Sequence, residues 1–233
     1  MKAIDDRLGK IRLYDKQFLG SGCYGKVYKG SNDKCFKLCK SKSLGDDFIN
    51  IYDVIKDNNL QGFCKLISLL YSNSKDARKK KNPIGYEYQY MEKEDIDILT
   101  MPIDYTIDNL DVLYNSIAIL TKNNIRCIDL QEGNVIMNCN SITALDIDLY
   151  CGMYEAERLE KYNVYDLELL FQYLYKDAMD KYHKGEYSNE VKQLLSSLFM
   201  VYDYDGAYGV YRKLKSYKYP IEYVNKLKIL SRR

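Results

Sequence analysis

Three residues in the middle of the chain have the types and spacing for phosphoryl chemistry. In the stretch CIDLQEGNVIM, Asp129 and Asn134 stand five residues apart, following a segment, NLDVLYNSIAILTKNN, that reads as a helix. A carboxylate can accept a hydroxyl proton or hold the hydroxyl in line, and an amide oxygen can ligate a hard cation such as Mg²⁺. Asp146 then ends a short apolar strand, ITALDI, and is the natural second ligand for a metal that bridges phosphates. An aspartate taken singly is more often a turn residue than a catalyst, so weight falls on what precedes these three.

What precedes them is LGSGCYGKVYKG, with Gly20, Gly22 and Gly25 followed by Val27. Alone, such a run is as readily a turn as a nucleotide loop. Here it joins two segments that read as antiparallel strands. That argues against the dinucleotide fingerprint, which needs a helix N-terminus, and the G-K-[ST] ending of a P-loop is missing. A glycine hairpin can instead lay backbone N–H groups over a phosphate chain, with Val27 packed on an adenine ring. The next strand, KCFKLCK, carries Lys37 between Cys35 and Cys39 at period two, so the three share a face. A lysine on a buried face needs an anionic partner. Lys34 and Lys40 are better placed at a solvent edge.

The elements that must position these groups follow from periodicity. RLYDKQFLG, KVYKG, KCFKLCK, FCKLISLLYS and IGYEYQYM read as strands, and Phe48, Ile51, Val54 and Ile55 mark a helix. Asp108 is expected to cap a helix bearing Leu110, Leu113, Ile117 and Leu120. Val164, Leu167, Leu170, Phe171 and Leu174 mark another, with further helices expected after Ser188 and around Ile221. A strand-rich part, 1–92, thus precedes a helical part, 93–233, an α+β arrangement with a cleft expected between them.

Composition narrows the class. The 233 residues carry a net charge of only +2, which argues against a dedicated nucleic-acid binder. Seven cysteines, an odd number without a C-x-x-C pair, and a single histidine argue against a zinc site and read as reduced thiols of a cytosol. No apolar run approaches a membrane span, and MKAIDDRLGK is too polar for a signal peptide. The basic run Arg78-Lys79-Lys80-Lys81 is expected to be a solvated loop.

In this order the motifs resemble those of the protein kinase superfamily over roughly residues 12–175. The resemblance implies a bilobal fold, with 1–92 as the β-rich lobe and 93–233 as the helical lobe. ATP and Mg²⁺ are the implied cofactors. Gly20, Ser21, Gly22, Gly25 and Val27 would form the nucleotide loop, and Lys37 would hold the phosphates. YQYMEKED resembles the adenine-binding hinge, with Met91 at the back of the pocket and the backbone of Glu92 and Glu94 as partners. Asp129 would be the catalytic aspartate, with Asn134 and Asp146 as metal ligands. The implied function is an atypical serine/threonine kinase acting on a protein substrate in its own or a host cytosol, with an activating protein as a further expected partner.

Departures from the pattern keep two other readings open. The usual glutamate partner of the strand lysine has no counterpart, and Asp47 is the expected substitute. Cys127 and Ile128 replace the histidine and arginine of the catalytic loop, Gln131 replaces a lysine, Asp148 a glycine and Asn163 an aspartate. The activation segment is nearly deleted, as in truncated kinase effectors that some bacterial pathogens inject. The alternatives are a pseudokinase with a structural nucleotide pocket and a small-molecule phosphotransferase resembling aminoglycoside or choline kinases.

Overall fold

A computed structural model describes residues 2–183 except 41–43, 46, 97, 99, 100, 102, 148, 149 and 153–155. The helices expected after Ser188 and around Ile221 lie outside these residues. The chain is mixed α+β and divides into two compact units, Met1–Glu92 and Lys93–Arg233.

The first unit is an antiparallel sheet of seven strands: β1 (Lys2–Asp5), β2 (Lys10–Arg12), β3 (Phe18–Ser21), β4 (Gly25–Lys29), β5 (Lys34–Cys39), β6 (Leu66–Tyr71) and β7 (Gly85–Gln89). Their order across the sheet is β2-β1-β6-β7-β5-β4-β3. The sheet curls, because Ala3, Tyr28, Phe36, Leu38 and Leu70 from four strands meet with Leu13 in one apolar cluster. Cross-strand register assigns the two faces. Lys37 stands opposite Val27 on one side and Tyr86 on the other, while Phe36 stands opposite Tyr28 and Glu87. Opposed residues share a face, so Val27, Lys37 and Tyr86 lie on one side, and Tyr28, Phe36 and Glu87 line the curled interior.

Helix α1 (Asp47–Asp57) packs on the Lys37 face. Phe48, Ile51, Tyr52 and Ile55 form its buried stripe, and the Phe48 ring sits 5.5 Å from that of Tyr86. Tyr52, not Val54, completes the stripe. Each such buried side chain contributes about 1.5–3 kcal/mol.

One stretch adds to the expected strands and another departs from expectation. The N-terminal segment MKAIDDRLGK supplies β1 and starts β2, joined by a turn in which Asp5 Oδ1 accepts the N–H groups of Arg7 and Gly9. The basic run is not a loop throughout: Ser74–Lys79 forms helix α2. Asn73 caps it by accepting from Lys75 N and Asp76 N, and Lys80 ends it at φ 48°. The Asn73 cap satisfies two otherwise orphaned amides, which outweighs the run of like charges.

In the second unit, α3 (Ile103–Lys122) packs on α4 (Ala156–His183). Leu110, Leu113, Ile117 and Leu120 of α3 and Val164, Leu167, Leu170, Phe171 and Leu174 of α4 are buried. Asp108 caps nothing, since α3 begins at Ile103 and Asp108 is an exposed interior residue. The helix extends because Tyr105 is anchored: its hydroxyl donates to Asn138 O and Ser141 O. Among the described residues of this unit there are also two short strand pairs: β8 (Ile125–Arg126) with β11 (Cys151–Gly152), and β9 (Val135–Met137) with β10 (Ile142–Ala144). Among the described residues no helix is long and apolar enough to cross a membrane.

Candidate active site

The glycine run forms the β3–β4 hairpin. Gly22 N donates to Gly25 O across its tip, and Lys40 N and Nζ donate to Tyr24 O and Gly22 O. Its glycines have different reasons to be glycine. A Cβ on Gly25 would lie 2.9 Å from Leu38 O and 3.0 Å from Lys37 Cε, so Gly25 makes room for the lysine stem. A Cβ on Gly20 or Gly22 would meet nothing within 4 Å, and neither residue has a positive φ. The fold itself therefore places no steric demand for glycine at either position. A ligand lying close over the backbone would. Ser21 is exposed and Val27 half-buried.

Lys37 is 4% exposed, with Cys35 buried and Cys39 half-buried beside it. Of the two lysines assigned to a solvent edge, Lys40 is exposed, while Lys34 is only partly so. Lys34 Nζ lies 2.6 Å from the Oε1 of buried Glu87, whose Oε2 accepts from Ser68 Oγ at 2.5 Å. Lys40 ties down the hairpin. Asp47 opens α1 and is exposed, and no ion pair joins it to Lys37 among the described residues. The reason lies in the helix phase: Phe48 faces the sheet, and its neighbour Asp47 turns to solvent.

On the Lys37 face of β7 the last side chains are Tyr86 and Tyr88, both buried and 5.8 Å apart between ring centroids. Met91 lies beyond the strand and is half-buried, and Glu92 is exposed. Glu94 uses its N–H on Met137 O at 3.2 Å, and its carboxylate accepts from Cys139 N. Its amide is thus already engaged within the second unit. The two tyrosines were missed from sequence, although the alternation that placed Lys37 on a buried face would have found them.

The residues of the expected catalytic loop come together in the second unit. Asp129 Oδ1 accepts from Gln131 Nε2 at 2.5 Å, and Oδ2 accepts from Asn134 Nδ2 at 2.7 Å. Asn134 Nδ2 also donates to Asp129 O at 2.9 Å. With its amide nitrogen held on Asp129, Asn134 has its Oδ1 as the atom to offer a cation. Leu145 N donates to Asn134 O at 2.7 Å, which ties the residue before Asp146 to the same loop. Asp129 and Asp146 both sit in the left-handed region, at φ 66° and 46°. Aspartate tolerates that region better than most residues. One carboxylate and one amide oxygen suit Mg²⁺, which keeps waters and takes further oxygens from phosphate. Among the described residues no group of three or more His, Cys, Asp or Glu gathers to hold a metal.

Helix α4 grips the start of this loop. Asn163 is fully buried, and its Oδ1 accepts from Cys127 N at 2.9 Å and Arg126 Nη1 at 3.0 Å. Its Nδ2 donates to Thr121 Oγ1 and Ile125 O. Arg126 also pairs with Asp166 and stacks over the Tyr162 ring. Burial pushes the Asp166 carboxyl up, and Arg126 opposes that shift. Burial likewise pushes the Cys127 thiol well up, which leaves it inert as a nucleophile. Sequence reasoning marked Asn163 only as a departure; that one amide could serve four backbone and side-chain partners became visible once α4 met the loop. No protein-family model and no curated protein matches the chain.

Proposed function

We propose that this protein is an ATP-dependent phosphotransferase, an atypical serine/threonine protein kinase with a bilobal kinase-like fold, acting on a protein hydroxyl in a cytosol. The observation that carries the reading is the Asp129 carboxylate held by both Gln131 and Asn134. An aspartate with its oxygens oriented by two amides is prepared to position an acceptor hydroxyl and take its proton. Gly20 and Gly22, with open space above them, support a phosphate chain over the hairpin. Lys37 would supply positive charge to the phosphates, and Tyr86 and Tyr88 an apolar wall. Asn134 Oδ1 and the Asp146 carboxylate would hold Mg²⁺, which neutralises phosphate charge when bound. The adenine edge would fall to backbone at Met91 or Glu92, since Tyr90 N donates to Asp33 O and Glu94 N to Met137 O.

One observation favours a second reading, a nucleotide-binding pseudokinase or a kinase that needs an activating partner. The stripe that α1 buries is Phe48, Ile51, Tyr52 and Ile55, with no carboxylate in it. The test is transfer of label from γ-labelled ATP with Mg²⁺, with and without cell lysate. The wild type should label a protein and Asp129→Asn should not, while both bind ATP. Full turnover by Asp129→Asn would overturn the assignment, and ATP binding without transfer under either condition would favour the pseudokinase.

A further inference from the structure

At the edge of the sheet opposite the glycine hairpin, the β1–β2 pair carries a concentration of positive charge that the proposed kinase chemistry does not use. Lys2 stands directly across from Arg12, and Ile4 directly across from Lys10. Alternation puts these four on one face, turned away from the core that takes Ala3 and Ile11. Together with Ser72, just past β6, and with Ala3 and Ile11 of the same strands, they line a hollow of about 260 Å³. No carboxylate lines it.

Some cations elsewhere in the same unit have partners: Lys34 is paired with Glu87, Arg7 reaches Asp5 and Glu87, and Lys29 lies over the Tyr90 ring. Lys2, Lys10 and Arg12 are exposed and make no ion pair among the described residues. Like charges directly opposed across a strand pair repel. Three of them around one concavity, with an apolar side chain and a hydroxyl between, form an arrangement that an anion would relieve. The basic helix α2 packs beside β1 and adds to the local positive field.

We infer that the hollow formed by Lys2, Ile4, Lys10, Arg12 and Ser72 is a binding site for a phosphate-bearing anion of at least two negative charges. Arg12 offers a planar fork to phosphate oxygens, the lysines act as point charges, and Ser72 can donate a hydroxyl hydrogen bond. The volume admits a diphosphate-sized group and is at the small end for a whole nucleotide. The site does not depend on the kinase reading.

Pyrophosphate titrated into the full chain at low salt, followed by calorimetry, tests this. Saturable binding should weaken at least tenfold in Lys10→Ser/Arg12→Ser and be abolished in Lys10→Glu/Arg12→Glu. Lys37→Met, which strips the candidate nucleotide loop of its charge, should leave it unchanged. All the hairpin positions substituted are exposed, and matching circular dichroism spectra check that the variants fold. Sedimentation with phosphatidylcholine vesicles, with and without a phosphoinositide, identifies the source. Co-sedimentation that needs Lys10 and Arg12 assigns the site to a lipid headgroup, and its absence beside pyrophosphate binding assigns it to a soluble phosphate. Wild-type binding no tighter than that of the charge-reversed variant overturns the site, as does binding lost in Lys37→Met alone.

Discussion

Asn163 Oδ1 accepts the backbone N–H of Cys127 at 2.9 Å, and both residues are completely buried. That bond joins the long helix α4 to the loop on which Asp129 stands. It places a helix side chain two residues from the candidate catalytic carboxylate.

Asn163→Leu should therefore cost more than its volume suggests. It strands Cys127 N, Ile125 O and the Thr121 hydroxyl, and each buried polar group left unpaired costs about 1–3 kcal/mol. Urea denaturation should show the loss, and amide exchange at Cys127 should quicken. Asn163→Asp keeps the acceptor for Cys127 and Arg126 but turns an oxygen toward Ile125 O, so a smaller loss is expected. Equal stability of all three proteins would remove the anchoring role.

The hairpin glycines should separate stability from binding. Gly25→Ala brings a methyl to 2.9 Å from Leu38 O, an overpacking that should destabilise by about 1–3 kcal/mol. Gly20→Ala meets no neighbour and should melt close to the wild type while binding ATP more weakly. Thermal melts with and without ATP and Mg²⁺ check both. Undiminished ATP binding by Gly20→Ala would count against the phosphate reading of the hairpin.

Mg²⁺ and ATP together should raise the melting temperature, as any ligand selective for the native state does. In Asp146→Asn the part of that rise that depends on Mg²⁺ should vanish, and EDTA should have the same effect on the wild type. A wild type that shows no shift at millimolar ATP and Mg²⁺ would end the nucleotide-binding readings altogether.

Asp166 supplies a pH test. Burial raises its native carboxyl above the ordinary range against the pull of Arg126. The native state then binds this proton before the unfolded chain does, so this group's contribution falls as pH climbs through that window. Asp166→Asn abolishes the titration. Its melting temperature relative to the wild type should become more favourable as pH climbs above the ordinary carboxylate range. A difference flat with pH would show that the carboxyl is not raised.

The strands from β3 to β7, the stripes of α1 and α4, and the neighbourhood of Asp129 and Asn134 were readable because each rests on local periodicity or short spacing. Lys37 was assigned to a buried face by alternation alone, and it is buried. The start of α3 was not readable: Tyr105 is held by Asn138 and Ser141, far along the chain, and that tertiary anchor overrides the local cap signal of Asp108. Nor were the partners of Lys34 and Asn163, because cross-strand register and helix docking decide which distant groups meet. Asp47 shows the same limit from the other side. Its position fits the search for a carboxylate, but the rotation of α1 is set by burying Phe48, Ile51, Tyr52 and Ile55, and that packing turns Asp47 outward. Local sequence determined which elements form, while tertiary packing decided which side chains meet, since burial energy is gained across elements that the chain order does not place side by side.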